Sequence, residues 1–191
     1  STFGYLPAPL KFLQLMRNLT SELGVMLIFD EVQSFRIASG GAQEFFNVIP
    51  DLTTLGKVIG GGLAVGAFGG TNELMSLYDP TSDGGVKIPH AGTFNANPMT
   101  MVAGQVVMNH LTENSYTKMN QLGDILRHKL ESVFDEIGFD TQITGIGSLF
   151  GIHFSSDPIN DYRSIINSDQ DLKKALFFGL LNEGVLLQST C

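Results

Sequence analysis

The continuous apolar run at residues 25–29 constrains the fold more than any other feature of the sequence. It reads Val-Met-Leu-Ile-Phe and ends in two acids, Asp30 and Glu31. Unbroken runs of this kind are typical of strands that are buried on both faces of a parallel sheet, so the run predicts an α/β fold. Ligands of such sheets bind beyond the carboxyl ends of the strands. Because side chains alternate along a strand, Asp30 and Val32 are predicted to share one face and Glu31 to lie on the other. Two acids at this position are also typical of a simple cap on the strand end.

A second stretch, residues 51–62, carries a lone lysine between glycines. Lys57 lies between Gly56 and the run Gly60–Gly62, with apolar residues in the gaps. Apolar surroundings favour the neutral, nucleophilic form of a lysine amine, and glycines allow a bulky group to approach closely. Together these features suit a lysine that carries an aldehyde cofactor. The alternative is a lysine at a strand end whose amine simply reaches the solvent.

Four motifs occur in an order that resembles a known enzyme family. They are Asp30-Glu-Val-Gln33, Asp51-Leu-Thr-Thr-Leu-Gly-Lys57, Gly60-Gly-Gly62 and Gly92-Thr-Phe-Asn-Ala-Asn-Pro98. The set resembles the class III aminotransferases, which bind pyridoxal 5′-phosphate (PLP) on the type I fold. Within that family, the chain resembles the branch of β-amino-acid aminotransferases and glutamate-1-semialdehyde aminomutases, and the segments 94–101 and 144–149 favour the β-amino-acid side. The resemblance implies part of a large domain with a mostly parallel sheet, followed by part of an α+β small domain.

The resemblance also implies a role for each candidate site residue. Lys57 would be the Schiff-base lysine and would move protons, whereas Asp30 would face the pyridine nitrogen of PLP and keep it protonated. Val32 would pack against the ring and Gln33 would donate a hydrogen bond to the phenolic O3′. Thr93 would bind the cofactor phosphate of a neighbouring subunit through its hydroxyl and its backbone N–H, which implies a homodimer with shared active sites.

Three functions remain open at this point. The first is transfer of an amino group between a β- or ω-amino acid and a keto acid. The second is intramolecular amino transfer, as in the glutamate-1-semialdehyde 2,1-aminomutases. The third is an inactive truncated homologue, although the joint presence of Lys57, Asp30 and Thr93 argues against loss of function. The implied partners are small amino and keto acids.

The charge and composition exclude several other classes. The net charge of −8 and the isoelectric point near 4.8 argue against nucleic acid or an anionic membrane as a partner. Cys191 is the single cysteine, which fits a reducing compartment and predicts a cytoplasmic protein. No metal site is predicted, because His110, His128 and His153 show no metal-ligand spacing with acids or cysteine.

The sequence further predicts how the chain is organised. A domain boundary near residue 112 would separate part of the large domain (1–112) from part of the small domain (113–191). The loop-like start and a strand that begins near the end indicate an internal fragment, inactive by itself. The predicted helices are 10–23, 72–78, 98–111, 114–137 and 171–182. The predicted strands are 25–30, 63–70, 141–144, 149–154 and one that starts at 184–188. Residues 35–46 are predicted to be irregular, and residues 79–90 are predicted to form a loop.

Overall fold

The structure, a computed structural model, describes residues 4–188. Its helices and strands alternate through the first part of the chain and end in a hairpin followed by helices. The helices are α1 (Leu10–Glu22), α2 (Gly41–Phe46), α3 (Asn72–Met75), α4 (Pro98–His110), α5 (Glu113–Glu136), α6 (Tyr162–Asn167) and α7 (Gln170–Asn182), and the strands are β1 (Ile28–Asp30), β2 (Leu52–Gly56), β3 (Gly66–Gly70), β4 (Thr141–Ile146) and β5 (Leu149–Phe154).

The described residues form two compact units, residues 9–116 and residues 4–8 with 117–188. The assignment of residues 1–112 to a large domain and 113–191 to a small domain stays a prediction. None of the helices described between residues 4 and 188 combines the length with the apolar character that a membrane span requires.

The first unit is built on a three-stranded sheet in the order β1-β2-β3. Strand β1 runs parallel to β2, with Asp30 opposite Thr54, and β3 runs antiparallel to β2, with Gly66 opposite Gly56. The parallel pairing brings the carboxyl ends of β1 and β2 to one edge of the sheet. The predicted elements do not include β2, whose Leu-Thr-Thr-Leu-Gly sequence carries only a weak strand signal.

Strand β1 is shorter and more exposed than the apolar run predicts. It covers three residues, and Val25, Met26 and Ile28 are 54%, 56% and 52% exposed. The predicted parallel strand is therefore confirmed over Ile28–Asp30, whereas its predicted start at residue 25 and its burial are not found in the described chain. Burial requires neighbours on both sides and both faces, whereas β1 pairs only with β2 among residues 4–188.

Asp51 fastens helix α1 to the beginning of β2. Its carboxylate accepts hydrogen bonds from the Leu27 amide at 2.7 Å and forms an ion pair with Arg17 at 3.1 Å. The Leu27 amide, with the Arg17 guanidinium, holds the pKa of Asp51 below its ordinary value. Asp51, the charged residue nearest to Lys57 in the sequence, thus binds Leu27 and Arg17.

The second unit packs α5 and α7 against the antiparallel hairpin of β4 and β5. Its core contains Phe134, Ile152 and Phe154, and the two strands agree with the predicted ones. His153 is fully buried, and its Nε2 lies 2.9 Å from the Thr144 hydroxyl and 3.3 Å from the Gly4 carbonyl oxygen. Burial lowers the pKa of His153, against the effect of the Gly4 carbonyl, so the ring is neutral at pH 7.

The predicted strand at residues 184–188 is absent from the structure. Residues 185–188 have no regular secondary structure, although they follow α7 at Gly184 as the sequence predicts. An extended segment becomes a strand only when a neighbouring strand satisfies its backbone groups, and no described residue provides one.

Candidate active site at the carboxyl edge of the sheet

The ends of β1 and β2 bring Asp30 and Lys57 to the same edge of the sheet. Asp30 is the last residue of β1 and lies opposite Thr54, while Lys57 directly follows β2. The Glu31 amide extends the pairing by donating to the Thr54 carbonyl at 2.9 Å. The structure therefore places these two residues on neighbouring parallel strands, at the edge where ligands of such sheets bind.

The Asp30 carboxylate is held through one of its two oxygens. Oδ1 accepts hydrogen bonds from the Val32 amide and from the Thr54 hydroxyl, both at 3.1 Å. Asp30 is exposed, and within residues 4–188 its Oδ2 accepts no hydrogen bond. The hydrogen bond from the Val32 amide is the contact expected if Asp30 only caps the end of the strand. The second oxygen has no hydrogen-bond partner among these residues and is available to a ligand or to water.

Glu31 lies on the opposite face and serves the backbone. It is 1% exposed, and its Oε2 accepts from the Ala42 amide and from the Ser34 hydroxyl. Its Oε1 accepts from the Gln43 amide at 3.0 Å. The buried carboxylate thereby caps the first turn of α2, which corrects the prediction that residues 35–46 are irregular. The sequence gives no local signal for this helix, because its cap, Glu31, lies ten positions before the first residue of α2.

Lys57 adopts a backbone conformation that is unusual for a residue with a side chain. Its φ is +50°, in the left-handed region, and it opens a short 3₁₀ turn over Lys57–Gly60. Such a conformation costs about 1 kcal/mol or more and is frequent at functional sites. The side chain is exposed and makes no hydrogen bond or ion pair with residues 4–188. The predicted apolar environment is therefore not present around Lys57 in the described chain.

The glycines around Lys57 accommodate other parts of the protein itself. A Cβ on Gly61 would lie 2.3 Å from the Ala103 carbonyl oxygen, and one on Gly104 would lie 2.2 Å from the Ile59 carbonyl oxygen. Helix α4 therefore packs its backbone directly against the turn that follows Lys57. The sequence predicts that these glycines let a bulky group such as a cofactor approach closely. In the described chain, the group that lies against Gly61 is helix α4.

Val32 and Gln33 lie beside this edge and are both half-buried. A Cβ on Gly56 would be 3.3 Å from the Val32 Cγ1, so Val32 covers the backbone immediately before Lys57. The Gln33 Oε1 is buried and has no hydrogen-bond partner among residues 4–188. Unpartnered buried amides are uncommon, so the Gln33 carboxamide retains hydrogen-bonding capacity for a polar ligand.

Thr93 lies in an exposed turn just before α4. The turn is closed by the Asn95 amide, which donates to the Gly92 carbonyl at 3.0 Å, and Asn97 caps α4 through its side chain. The Thr93 side chain makes no hydrogen bond within residues 4–188, and no hydrogen bond connects it to Asp30 or Lys57. The structure thus places Asp30 and Lys57 at one sheet edge, with Val32 against Gly56 and Gln33 next to Val32 in the chain. Among residues 4–188, no hydrogen bond joins Thr93 to this group.

An open cleft of about 1110 Å³ lies between β3 and the start of α4. In its wall, the His90 ring meets the rings of Phe68 and Tyr78 edge-on, with centroids 5.3 Å and 6.1 Å away. Its lining includes Thr54, while Asp30 and Lys57 lie outside it. The cleft therefore reaches the edge that carries Asp30 and Lys57 through Thr54. Within residues 4–188, no three His, Cys, Asp or Glu side chains are grouped to hold a metal ion.

Comparison with known proteins identifies the family. The model of the family described as aminotransferase class-III matches residues 1–191. A glutamate-1-semialdehyde 2,1-aminomutase from Limosilactobacillus reuteri is 42% identical over 183 residues, which are 95% of this chain and 42% of the relative.

Two solved structures have the same fold over nearly the whole chain. An ω-transaminase from Sphaerobacter thermophilus has a TM-score of 0.94 and 44% identity, covering 98% of this chain and 43% of that one. A β-phenylalanine aminotransferase from Variovorax paradoxus has a TM-score of 0.91 and 38% identity, with the same two shares. The chain thus spans less than half the length of these relatives. The predicted α/β type I fold and the predicted family are confirmed, and PLP is the cofactor of that family. This chain belongs to the class III aminotransferases.

Proposed function

We propose that the protein carrying this chain is a PLP-dependent enzyme that transfers amino groups, with the cofactor held at the carboxyl edge of β1 and β2. The observation that carries the proposal is the placement of Asp30 and Lys57 at the ends of these neighbouring strands. The donor set fits PLP, since it offers an unengaged amine, a carboxylate oxygen without a partner and an unpartnered amide. When bound, PLP supplies an electron sink for carbanion chemistry.

Lys57 has two tasks in this proposal. Its Nζ would hold the cofactor through the aldehyde, and the same amine, when free, would take the proton from the substrate carbon that bears the amino group. One side chain thereby serves as anchor and as general acid and base. The absence of any partner for this amine within residues 4–188 leaves it available for both tasks.

The neighbouring residues orient and charge the cofactor ring. Asp30 would offer Oδ2 to the ring nitrogen and stabilise its protonated form as an ion pair. Val32 packs on one side of the ring, and the Gln33 carboxamide donates to the phenolic oxygen. Asp30 Oδ2 has no hydrogen-bond partner in the described chain, which supports its role. The unpartnered atom of Gln33 is Oε1, an acceptor, so the donating role of its Nε2 rests on the resemblance to the family.

Two substrate classes follow from the relatives. The neighbours named ω-transaminase and β-phenylalanine aminotransferase support transfer from a β- or ω-amino acid to a keto acid. The relatives named glutamate-1-semialdehyde 2,1-aminomutase, at about the same identity, support intramolecular transfer as the second candidate. Both reactions use the same residues in this chain.

A pair of assays on the protein that carries this chain separates the candidates. We expect glutamate to form from 2-oxoglutarate when β-phenylalanine is the amino donor, with Lys57→Ala as the blank. Conversion of glutamate 1-semialdehyde without an external keto acid would instead favour the aminomutase. Failure of both reactions, together with failure to bind PLP, would support the inactive homologue.

We further propose that Thr93 acts across a homodimer, where its hydroxyl and amide bind the cofactor phosphate of the neighbouring subunit. Its exposed turn and unpartnered hydroxyl support this role. Mixed dimers of Lys57→Ala and Thr93→Val subunits are expected to regain activity, because one of the two sites then contains both intact groups. The measurement compares the activity of the refolded mixture with the sum of the two parents. Activity no higher than that sum would indicate that Thr93 acts within its own subunit.

A further inference from the structure

We infer that Thr54 is a positioning residue for Asp30, and that its hydroxyl keeps the carboxylate directed at the cofactor ring nitrogen. The inference rests on the proposed function and gives a role to Thr54, a member of the 51–57 motif that has no role in the site described above. Thr54 would act only through Asp30, without touching the substrate.

The geometry of the strand pair carries this assignment. Thr54 is the register partner of Asp30, and its hydroxyl donates to Asp30 Oδ1 at 3.1 Å. The Val32 amide donates to the same oxygen at 3.1 Å. Two donors that converge on Oδ1 from different directions hold the carboxylate in one orientation. Oδ2 is consequently the oxygen left to meet a cation at the sheet edge.

The adjacent threonine shows that the arrangement is specific to one face of the sheet. Thr53 accepts a hydrogen bond from Gln43 Nε2 at 3.1 Å, and the same nitrogen donates to Glu31 Oε1 at 3.2 Å. Each of the two acids at the end of β1 is therefore connected to one threonine of β2. The Thr53 connection supports the buried cap of α2, whereas the Thr54 connection supports the exposed carboxylate at the candidate site.

Loss of the Thr54 hydroxyl would release one of the two restraints on Asp30. The Asp30 side chain is exposed, so water would take the place of the lost donor and the carboxylate would sample other rotamers. The carboxylate would then hold Oδ2 at the ring nitrogen in only some of its orientations, which would weaken the interaction. A hydrogen bond to a charged group corresponds to a change of about 10-fold or more in an equilibrium constant.

The test uses the PLP-loaded protein and three variants. Thr54→Val removes the hydroxyl and keeps the branched shape, Thr54→Ser restores a hydroxyl, and Thr53→Val is the matched control on the other face. The main measurement is ¹⁵N NMR of PLP labelled at the ring nitrogen, followed over a range of pH. Fluorescence titration of the apoprotein with PLP gives the affinity, and thermal unfolding checks the fold of each variant.

We expect Thr54→Val to move the midpoint of ring-nitrogen protonation by about one unit toward lower pH and to weaken PLP binding by about 10-fold. Thr54→Ser is expected to retain the wild-type midpoint. Thr53→Val is expected to lower the unfolding temperature without moving the midpoint. Thr54→Ala provides a second hydroxyl-free variant if the valine protein does not fold.

The assignment is overturned if Thr54→Val, or Thr54→Ala in its place, leaves the ring-nitrogen midpoint unchanged, or if Thr53→Val moves it equally. Asp30→Asn, measured alongside, separates this failure from failure of the proposed function. An unchanged midpoint in Asp30→Asn would contradict the cofactor site itself. A large change in Asp30→Asn with none in Thr54→Val would contradict only the role of Thr54.

Discussion

Replacement of Lys57 by alanine is expected to lower turnover by several orders of magnitude while PLP still binds weakly. In the proposed mechanism, Lys57 is both the covalent anchor and the group that moves the proton. One substitution therefore removes both functions, and turnover falls steeply. The noncovalent contacts proposed for Asp30 and Gln33 would remain, which is why some affinity for PLP should persist. The exposed position of Lys57 predicts that the variant folds normally.

Borohydride reduction provides the direct measurement. Reduction of the PLP-loaded protein makes the covalent attachment permanent, and digestion followed by mass spectrometry should find the label on the peptide that contains Lys57. Lys87 is an exposed lysine in the loop at 79–90, so Lys87→Ala is the matched control and should retain both label and activity. Label on Lys87 or Lys11 would refute the assignment.

Small primary amines offer a second, functional check on Lys57→Ala. Added methylamine or ethylamine is expected to restore part of the turnover, because a free amine can take over the proton transfer that we propose for Lys57 Nζ. Lys57→Arg should not recover activity, since it keeps the charge but lacks the nucleophile. Equal activity of Lys57→Ala with and without the amines would argue against a role for Lys57 in proton transfer.

Asp30→Asn is expected to reduce turnover by about 10- to 100-fold or more and to weaken PLP binding, because the ring nitrogen loses its charged partner. The variant keeps the shape of the side chain. Its amide oxygen still accepts from the Val32 amide and the Thr54 hydroxyl, so the strand end should remain intact. Steady-state kinetics and PLP titration measure the two effects.

Glu31→Gln is the matched control for this experiment. Glu31 differs from Asp30 by being buried and by capping α2, so its substitution should lower the free energy of unfolding and leave the PLP spectrum unchanged. Wild-type turnover in Asp30→Asn would mean that Asp30 only caps the strand end. The contrast between two adjacent acids thus separates a role in the site from a role in the fold.

The sequence alone determined the family, the fold class and the main helices. Helices α1, α4 and α5 agree with their predicted ranges to within one or two residues, because apolar spacing and end signals such as Gly24 and Pro98 are local properties. The motif order was enough to predict the type I fold, which the comparisons confirm. The residue roles taken from the resemblance stay predictions.

The tertiary structure decided which groups meet at the sheet edge. Thr54 pairs with Asp30 only because β1 and β2 are parallel in one register, and the two residues are 24 positions apart in the chain. The exposure of β1 and Lys57 likewise depends on which elements cover them, a property that an apolar run does not encode. The contact between Gly61 and helix α4 is also visible only in the folded chain. Local sequence specifies backbone preference and side-chain chemistry, whereas register, cover and close approach arise from residues that are distant in sequence.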